Sequence, residues 1–260
     1  MVFFIFVQKH YDYIIIGAGA SGLMLANALG NDPYFRGKTV LLIDKDAKKT
    51  NDRTWCFWEK NEGDFDTIIT KSWSQIQFYG ENYGAAQEIA PYKYKMLRGL
   101  DFYKSYLNSI RSYDNVTFLQ ALVTAVEDHK NYVEVTTQNA VFRGTKVFNS
   151  IFNYKLLHQQ TKYPVLQQHF IGWFIKSDKP IFNAEKATFM DFSIPQKGNT
   201  RFMYVLPFSE TEGLVEYTLF SADTLAAQEY ENAIKKYIEE TLRCTEYEIV
   251  EKEKGNIPMS

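Results

Sequence analysis

The sequence predicts an α/β fold in which a parallel, doubly wound nucleotide-binding unit is interrupted by an inserted antiparallel domain. Three features of the 260-residue chain lead there. An apolar strand ends in a glycine-rich turn that opens a helix near the N-terminus. An acid closes the next strand at the spacing such units use. In the second half, strand follows strand without the βα alternation that a continued parallel sheet requires.

Residues 11–16 (YDYIII) have the nearly unbroken apolar character of a strand buried on both faces. They run into Gly17-Ala18-Gly19-Ala20-Ser21-Gly22, the GxGxxG spacing, and SGLMLANALG then reads as helix until Gly30, with Asn31, Asp32 and Pro33 as breakers. Gly17 permits the tight strand-to-helix turn, Gly19 lets the backbone approach a pyrophosphate, and Gly22 lets helix and strand pack closely. The amides of the first helical turn face the phosphates. Residues 39–43 (TVLLI) form the second strand. Asp44 closes it 22 residues after Gly22, where a carboxylate accepts the hydroxyls of an adenosine ribose. This context makes a bound dinucleotide the reading, against a glycine-rich turn in an ordinary α/β sheet.

After Asp44 the chain turns to KDAKKTNDRTWCFWEK, a polar loop with aromatic insertions rather than another βα unit. By fold analogy, an interrupted nucleotide fold favours FAD over NAD. Residues 73–79 (WSQIQFY) are a strand, and Leu100, Tyr103, Leu107 and Ile110 recur at helical spacing across DFYKSYLNSI. A turn at Asp114 and Asn115 precedes strands at 116–119, 122–127 and 132–136, expected as a small antiparallel meander, and 146–148 ends the region. Strands at 167–176, 187–192, 201–206 and 214–220 supply a separate sheet. Residues 223–242 form a helix with Leu225, Tyr230, Ala233, Tyr237 and Thr241 on one stripe, and 246–251 is a final strand.

Composition narrows the function. With 45% hydrophobic and 23% charged residues the chain has a globular balance, and a net charge of -2 leaves no basic stripe for a nucleic acid. Cys56 and Cys244 are far apart and the four histidines (His10, His129, His158, His169) are unclustered, so neither a zinc site nor a histidine-based hydrolase is expected. The cysteine usage fits a reducing cytosol. The apolar opening MVFFIFV is too short to span a bilayer and is expected as a strand or frayed end. Aromatic residues make up 16% of the chain, which fits either a ring-filled core or a pocket for a long apolar substrate.

Two acids stand in apolar strands. In LVEYTLF, Glu216 shares a face with Leu214, Thr218 and Phe220, while Val215, Tyr217 and Leu219 take the other. Desolvation there would raise its pKa and keep the protonated form that general acid catalysis needs. Asp191, in TFMDFS, is similarly placed and is expected to share or tune the same proton. The structural alternative is an edge acid or an ion pair with a neighbour such as Arg201.

The combination resembles the flavin-dependent lycopene cyclase family. The matching segments are DYIIIGAGASGLMLA at 12–26, NDRTWCFW at 51–58, QHFIGWFI at 168–175, FMDF at 189–192, FMYVLPFS at 202–209, LVEYTLFS at 214–221 and GNIPM at 255–259. RTWCFW and the LPFS–LVEYT pair are the specific ones; many flavoproteins share the glycine motif. The resemblance implies a Rossmann-like FAD-binding domain with an inserted antiparallel substrate-binding domain. It implies redox-neutral cyclisation of the linear ends of lycopene to β-rings, with FAD in its reduced form and NAD(P)H as the candidate reductant. Glu216 falls on the family's essential acid and Asp191 on its second acidic position. Gly17, Gly19, Ala20, Gly22, Asp44 and Arg53 fall on the cofactor side. The expected FAD domain is 11–72 and 98–160, the carotenoid domain 73–97 and 161–250, and 251–260 the start of the return to the FAD domain. The family's pattern continues past the IPM segment with a strand and a helix, so this chain is expected to lack the C-terminal part. A cytoplasmic location with peripheral membrane contact suits a lipid-dissolved carotenoid. The rival functions are an FAD monooxygenase or other oxidoreductase, and an inactive fragment.

Overall fold

The computed structural model describes residues 9–153, 157, 159 and 162–259; the apolar opening at 1–7 lies outside the described residues. Two compact units emerge, one comprising Met1–Arg53 with Arg98–Asn153, the other Thr54–Leu97 with Tyr154–Ser260. In chain order the first half runs β1 (Lys9–Ile16), α1 (Ala20–Asn31), β2 (Val40–Asp44), β3 (Thr54–Lys60), β4 (Lys71–Trp73), β5 (Gln75–Gly80), β6 (Tyr83–Glu88), β7 (Tyr92–Arg98) and α2 (Gly99–Arg111). It continues with β8 (Val116–Gln120), β9 (Val123–Asp128), β10 (Val133–Thr137), β11 (Val141–Asn149), β12 (Leu166–Lys176) and β13 (Lys186–Asp191). The last elements are β14 (Arg201–Pro207), β15 (Glu212–Ser221), α3 (Ala227–Glu240) and β16 (Glu248–Met259).

The first unit is a six-stranded sheet ordered β8-β2-β1-β11-β10-β9. β1, β2, β8 and β11 are mutually parallel, and β10 and β9 fold back antiparallel. Ile14, Ile15 and Ile16 of β1 and Leu41, Leu42 and Ile43 of β2 are all buried, the signature of central strands covered on both faces. Each such side chain contributes about 1.5–3 kcal/mol on burial. α1 buries Leu23, Ala26 and Leu29, and α2 buries Phe102, Leu107 and Ile110. One expectation is corrected. β8 is not part of a meander: it closes a βαβ crossover through α2 and lies parallel beside β2, with Val116 opposite Val40.

The second unit carries a seven-stranded sheet, β16-β12-β15-β14-β13-β5-β6, and a small sheet, β3-β7-β4. The larger sheet is antiparallel except where β13 meets β5. α3 covers one face, where Trp173, Met203, Val215 and Tyr217 pack against Tyr230, Ile234 and Tyr237. On the opposite face Phe174, Leu206 and Leu214 pack against Trp73, Tyr94 and Met96.

Segments 54–72 and 251–259 belong to this unit rather than to the nucleotide unit. TWCFWEK is a strand, not a loop, and joins β7 and β4 in one sheet. β16 pairs with β12 along its length, from Glu248 opposite Lys176 to Met259 opposite Leu166. Among the described residues no helix is long and apolar enough to cross a membrane.

Candidate active site

The glycine turn has the geometry its spacing predicts. Gly17 has φ +104°, which favours glycine, and its N–H donates to Ile43 O at 2.7 Å. A Cβ on Gly22 would lie 1.9 Å from Gly17 O, so only glycine lets α1 sit this close to the turn. A Cβ on Gly19 would meet nothing within 4 Å, so the backbone there is open to a ligand. α1 begins at Ala20 with no side-chain cap and no acid in its first turn, leaving its positive end to an external anion.

Asp44 reaches back to this turn. Its Oδ2 accepts the Ala18 N–H at 2.6 Å and its Oδ1 the Asp46 N–H at 2.8 Å, which fixes the carboxylate while leaving lone pairs for ribose hydroxyls. The loop that follows is fastened to the start of α2: Asn51 Oδ1 accepts the Leu100 N–H at 3.2 Å, and Asp52 Oδ1 accepts the Tyr103 hydroxyl at 2.7 Å. Arg53 O accepts the Gly99 N–H at 2.8 Å, and the exposed Arg53 guanidinium donates to Asp52 O at 2.7 Å. The open backbone at Gly19, the uncapped helix and the anchored acid fit an FAD pyrophosphate and adenosine ribose.

Glu216 lies in the second unit, buried in β15, and has a carboxyl partner that the sequence reading missed. Gly172 of β12 pairs with Glu216 on one side and with Glu253 of β16 on the other. Cross-strand partners share a face, so both glutamates extend over a residue with no side chain. There they hydrogen-bond to each other. Thr218 Oγ1 donates to Glu216 Oε1 at 2.6 Å, and Thr54 Oγ1 donates to Glu253 Oε2 at 2.6 Å. Burial, and next the Glu253 charge, push Glu216 from 4.5 up to about 8, while the Thr218 hydroxyl acts the other way. A protonated carboxyl therefore prevails at Glu216 at neutral pH.

The walls around this acid are aromatic and neutral. Tyr204 is the cross-strand partner of Glu216. Burial raises the Tyr94 and Tyr204 hydroxyls above their usual range and pushes the Cys56 thiol up to about 12. Ring centroids lie 5.9 Å apart for Tyr204 and Phe189, 5.3 Å for Phe189 and Tyr94, and 5.0 Å for Tyr94 and Trp58. Trp58 is 42% exposed, so the line of rings runs from the surface inward to the neighbour of Glu216.

Asp191 is elsewhere. Its Oδ2 accepts the Tyr237 hydroxyl at 2.7 Å and its Oδ1 the Ser193 N–H at 2.9 Å. It pairs across strands with Met203, which pairs with Tyr217, and that row faces α3. Glu216 faces the other way, so the expectation that Asp191 shares its proton is corrected: the carboxyl that hydrogen-bonds to Glu216 is that of Glu253. A bulge between Thr188 and Asp191, with Met190 at φ +124°, breaks the alternation on which the expectation rested. Arg201 is not the partner of Glu216 either; it donates to the Tyr217 hydroxyl at 3.0 Å and to Asn199 Oδ1 at 2.8 Å. His169 is held by Tyr230 at 2.6 Å and Ser221 at 2.7 Å, and burial lowers its pKa, as suits a core histidine. No group of three or more metal-ligating side chains occurs among the described residues.

The glycine turn and the interrupted sheet define an α/β protein with the architecture of FAD-binding enzymes. Residues 12–260 match the family model described as "Lycopene cyclase protein", and the chain belongs to that family. Solved structures with the same fold include the halogenase PltM in complex with phloroglucinol and FAD, at 13% identity and a TM-score of 0.67, covering 95% of this chain and 59% of that one. A geranylgeranyl bacteriochlorophyll reductase-like protein from Thermoplasma acidophilum is 12% identical with a TM-score of 0.63, covering 96% of this chain and 66% of that one. PqsL from P. aeruginosa, in complex with 2-aminobenzoylacetate, is 16% identical with a TM-score of 0.57, covering 82% and 61%. The chain thus spans about three-fifths to two-thirds of the length of these relatives. No curated protein matches it.

Proposed function

We propose that the protein cyclises the linear ends of lycopene to β-rings by acid catalysis with no net oxidation, giving γ-carotene and β-carotene. The observation that carries this reading is Glu216, a carboxyl buried on a sheet face next to a line of aromatic rings, where burial and the Glu253 charge favour its protonated form. Protonation of a terminal trisubstituted alkene gives a tertiary carbocation. A neighbouring double bond attacks it to close the ring, and loss of a proton to a base ends the step. Glu216 is the proton donor. Trp58, Tyr94, Phe189 and Tyr204 stabilise positive charge through their ring faces without adding to it, because the tyrosines stay un-ionised. Water would capture such a cation, and the burial around Glu216 limits its access.

Gly17, Gly19, Ala20 and Gly22 would hold the FAD pyrophosphate, Asp44 the adenosine ribose, and the exposed Arg53 would add positive charge on the cofactor side. When bound in its reduced form, FAD supplies an electron-rich ring system, with NAD(P)H as the source of electrons. The apolar substrate calls for a cytoplasmic protein in peripheral contact with a membrane. A second reading is an FAD oxidoreductase. It draws support from the fold relatives, whose names include a halogenase and a reductase-like protein.

The test is expression of the full chain in lycopene-producing cells followed by pigment analysis. The cyclase reading expects ring-bearing carotenes from the wild type and none from Glu216→Ala at equal flavin content. Unconverted lycopene with wild-type protein that retains flavin would favour the oxidoreductase.

A further inference from the structure

We propose that Glu253 is a positioning residue for the acid: the Glu216 and Glu253 carboxyls, brought together over Gly172, hold one proton between them at neutral pH, and Glu253 keeps it on the pair. The proposal deepens the cyclase reading and rests on it for its consequence, but the pair itself is a matter of geometry.

Three strands build the pair. Gly172 is the shared register partner of Glu216 and Glu253. Neighbouring strands lie about 4.8 Å apart, so the two glutamate Cα atoms are separated by roughly twice that distance. Two side chains meet across that gap only when the residue between them has none. A Cβ on Gly172 would lie 3.1 Å from Glu253 Cγ and 2.8 Å from Leu214 Cδ1, inside the space the pair uses. Each carboxyl has one oxygen held by a threonine hydroxyl, Thr218 for Glu216 and Thr54 for Glu253. The hydroxyls orient the two groups, which hydrogen-bond to each other.

Cys56 from β3, Tyr94 from β7 and Tyr204 from β14 are titratable neighbours of Glu216, and all three are neutral at physiological pH. A second ionisation would place two negative charges in hydrogen-bond contact, and the pair resists it by keeping a proton. Removing the Glu253 charge removes that resistance. Glu216 would then lose its proton more readily and become a stronger acid, less often present in the donating form at neutral pH.

The experiment is an infrared pH titration of the carboxylic acid C=O band in the wild-type chain and its variants, with the Glu216 band identified by its loss in Glu216→Gln. We expect Glu253→Gln to lower the titration midpoint of Glu216 by at least one pH unit, a tenfold change in its acid dissociation constant. Glu253→Asp, which keeps the charge, should restore most of the shift. Gly172→Ala, which keeps both acids and separates them, should lower the midpoint as Glu253→Gln does. An unmoved midpoint in folded Glu253→Gln overturns the proposal, as does a midpoint that Glu253→Asp lowers equally. The titration needs neither flavin nor carotenoid. If the wild type makes no rings yet the midpoint shifts, the pair stands and the cyclase reading falls; rings with an unmoved midpoint give the reverse.

Discussion

Replacing Glu216 with glutamine should make the protein more stable at alkaline pH while removing its proton donor. The folded chain raises this carboxyl from 4.5 to about 8, chiefly by burial and then by the Glu253 charge. Between those two values the folded chain binds a proton that the unfolded chain has released. Stability therefore falls as pH rises through the window, and the contribution is fully present only below 4.5. At about 1.4 kcal/mol per unit, the whole window corresponds to about 4–5 kcal/mol, a ceiling because the partner carboxyl relaxes when Glu216 ionises. Glutamine has the same shape and no charge to bury, so wild type and Glu216→Gln should match near pH 5 and diverge towards pH 8.5. His169, whose pKa burial lowers, makes both proteins less stable below its ordinary value of 6.5 and cancels in the difference. Urea denaturation at a series of pH values measures the divergence. Tryptophan fluorescence isolates the relevant unit, because Trp55, Trp58, Trp73 and Trp173 all lie within it. Parallel stability curves for the two proteins would refute the raised, buried carboxyl.

Gly22→Ala would place a Cβ 1.9 Å from Gly17 O and force α1 off the glycine turn, so the purified variant should lose flavin on gel filtration while the wild type stays yellow. Trp73→Ala should destabilise the second unit by about 3–5 kcal/mol in urea, because a fully buried ring and its 3.1 Å hydrogen bond to Pro207 O are both lost. Asp191→Asn should cost about 1–3 kcal/mol through its contacts with Tyr237 and Ser193, and should leave the pH profile of ring formation where it was. A moved profile would put Asp191 back beside the proton.

The nucleotide turn was legible because its signal is local: strand, glycines, helix and acid fall within residues 11–44 and each answers a short-range requirement. Glu216 was legible as an acid among apolar neighbours on both faces of one strand. Its partner was not, because the pairing depends on the register of three strands at positions 172, 216 and 253, far apart in sequence. Ending the last strand at 251 hid Glu253; carried on to Gly255, the alternation would have raised it. TWCFWEK reads as a loop because its polar residues alternate with partly covered rings, and YKYKMLR prompts no strand because Lys93 and Lys95 interrupt its apolar residues. Asp191 was assigned to the wrong face because one bulge residue at Met190 resets the alternation, and no local pattern announces a bulge.

The central claim is that a proton from the protein, rather than an electron pair or oxygen, drives the reaction on a carotenoid. It is tested most directly by supplying lycopene in vesicles to the full chain with FAD and a reductant in D2O, and weighing the products. Protonation by an exchangeable acid puts one deuterium on each ring formed, so the product should be one mass unit heavier per ring and otherwise isomeric with lycopene. A product changed by two hydrogens or by an oxygen, or a ring without deuterium, would contradict the account.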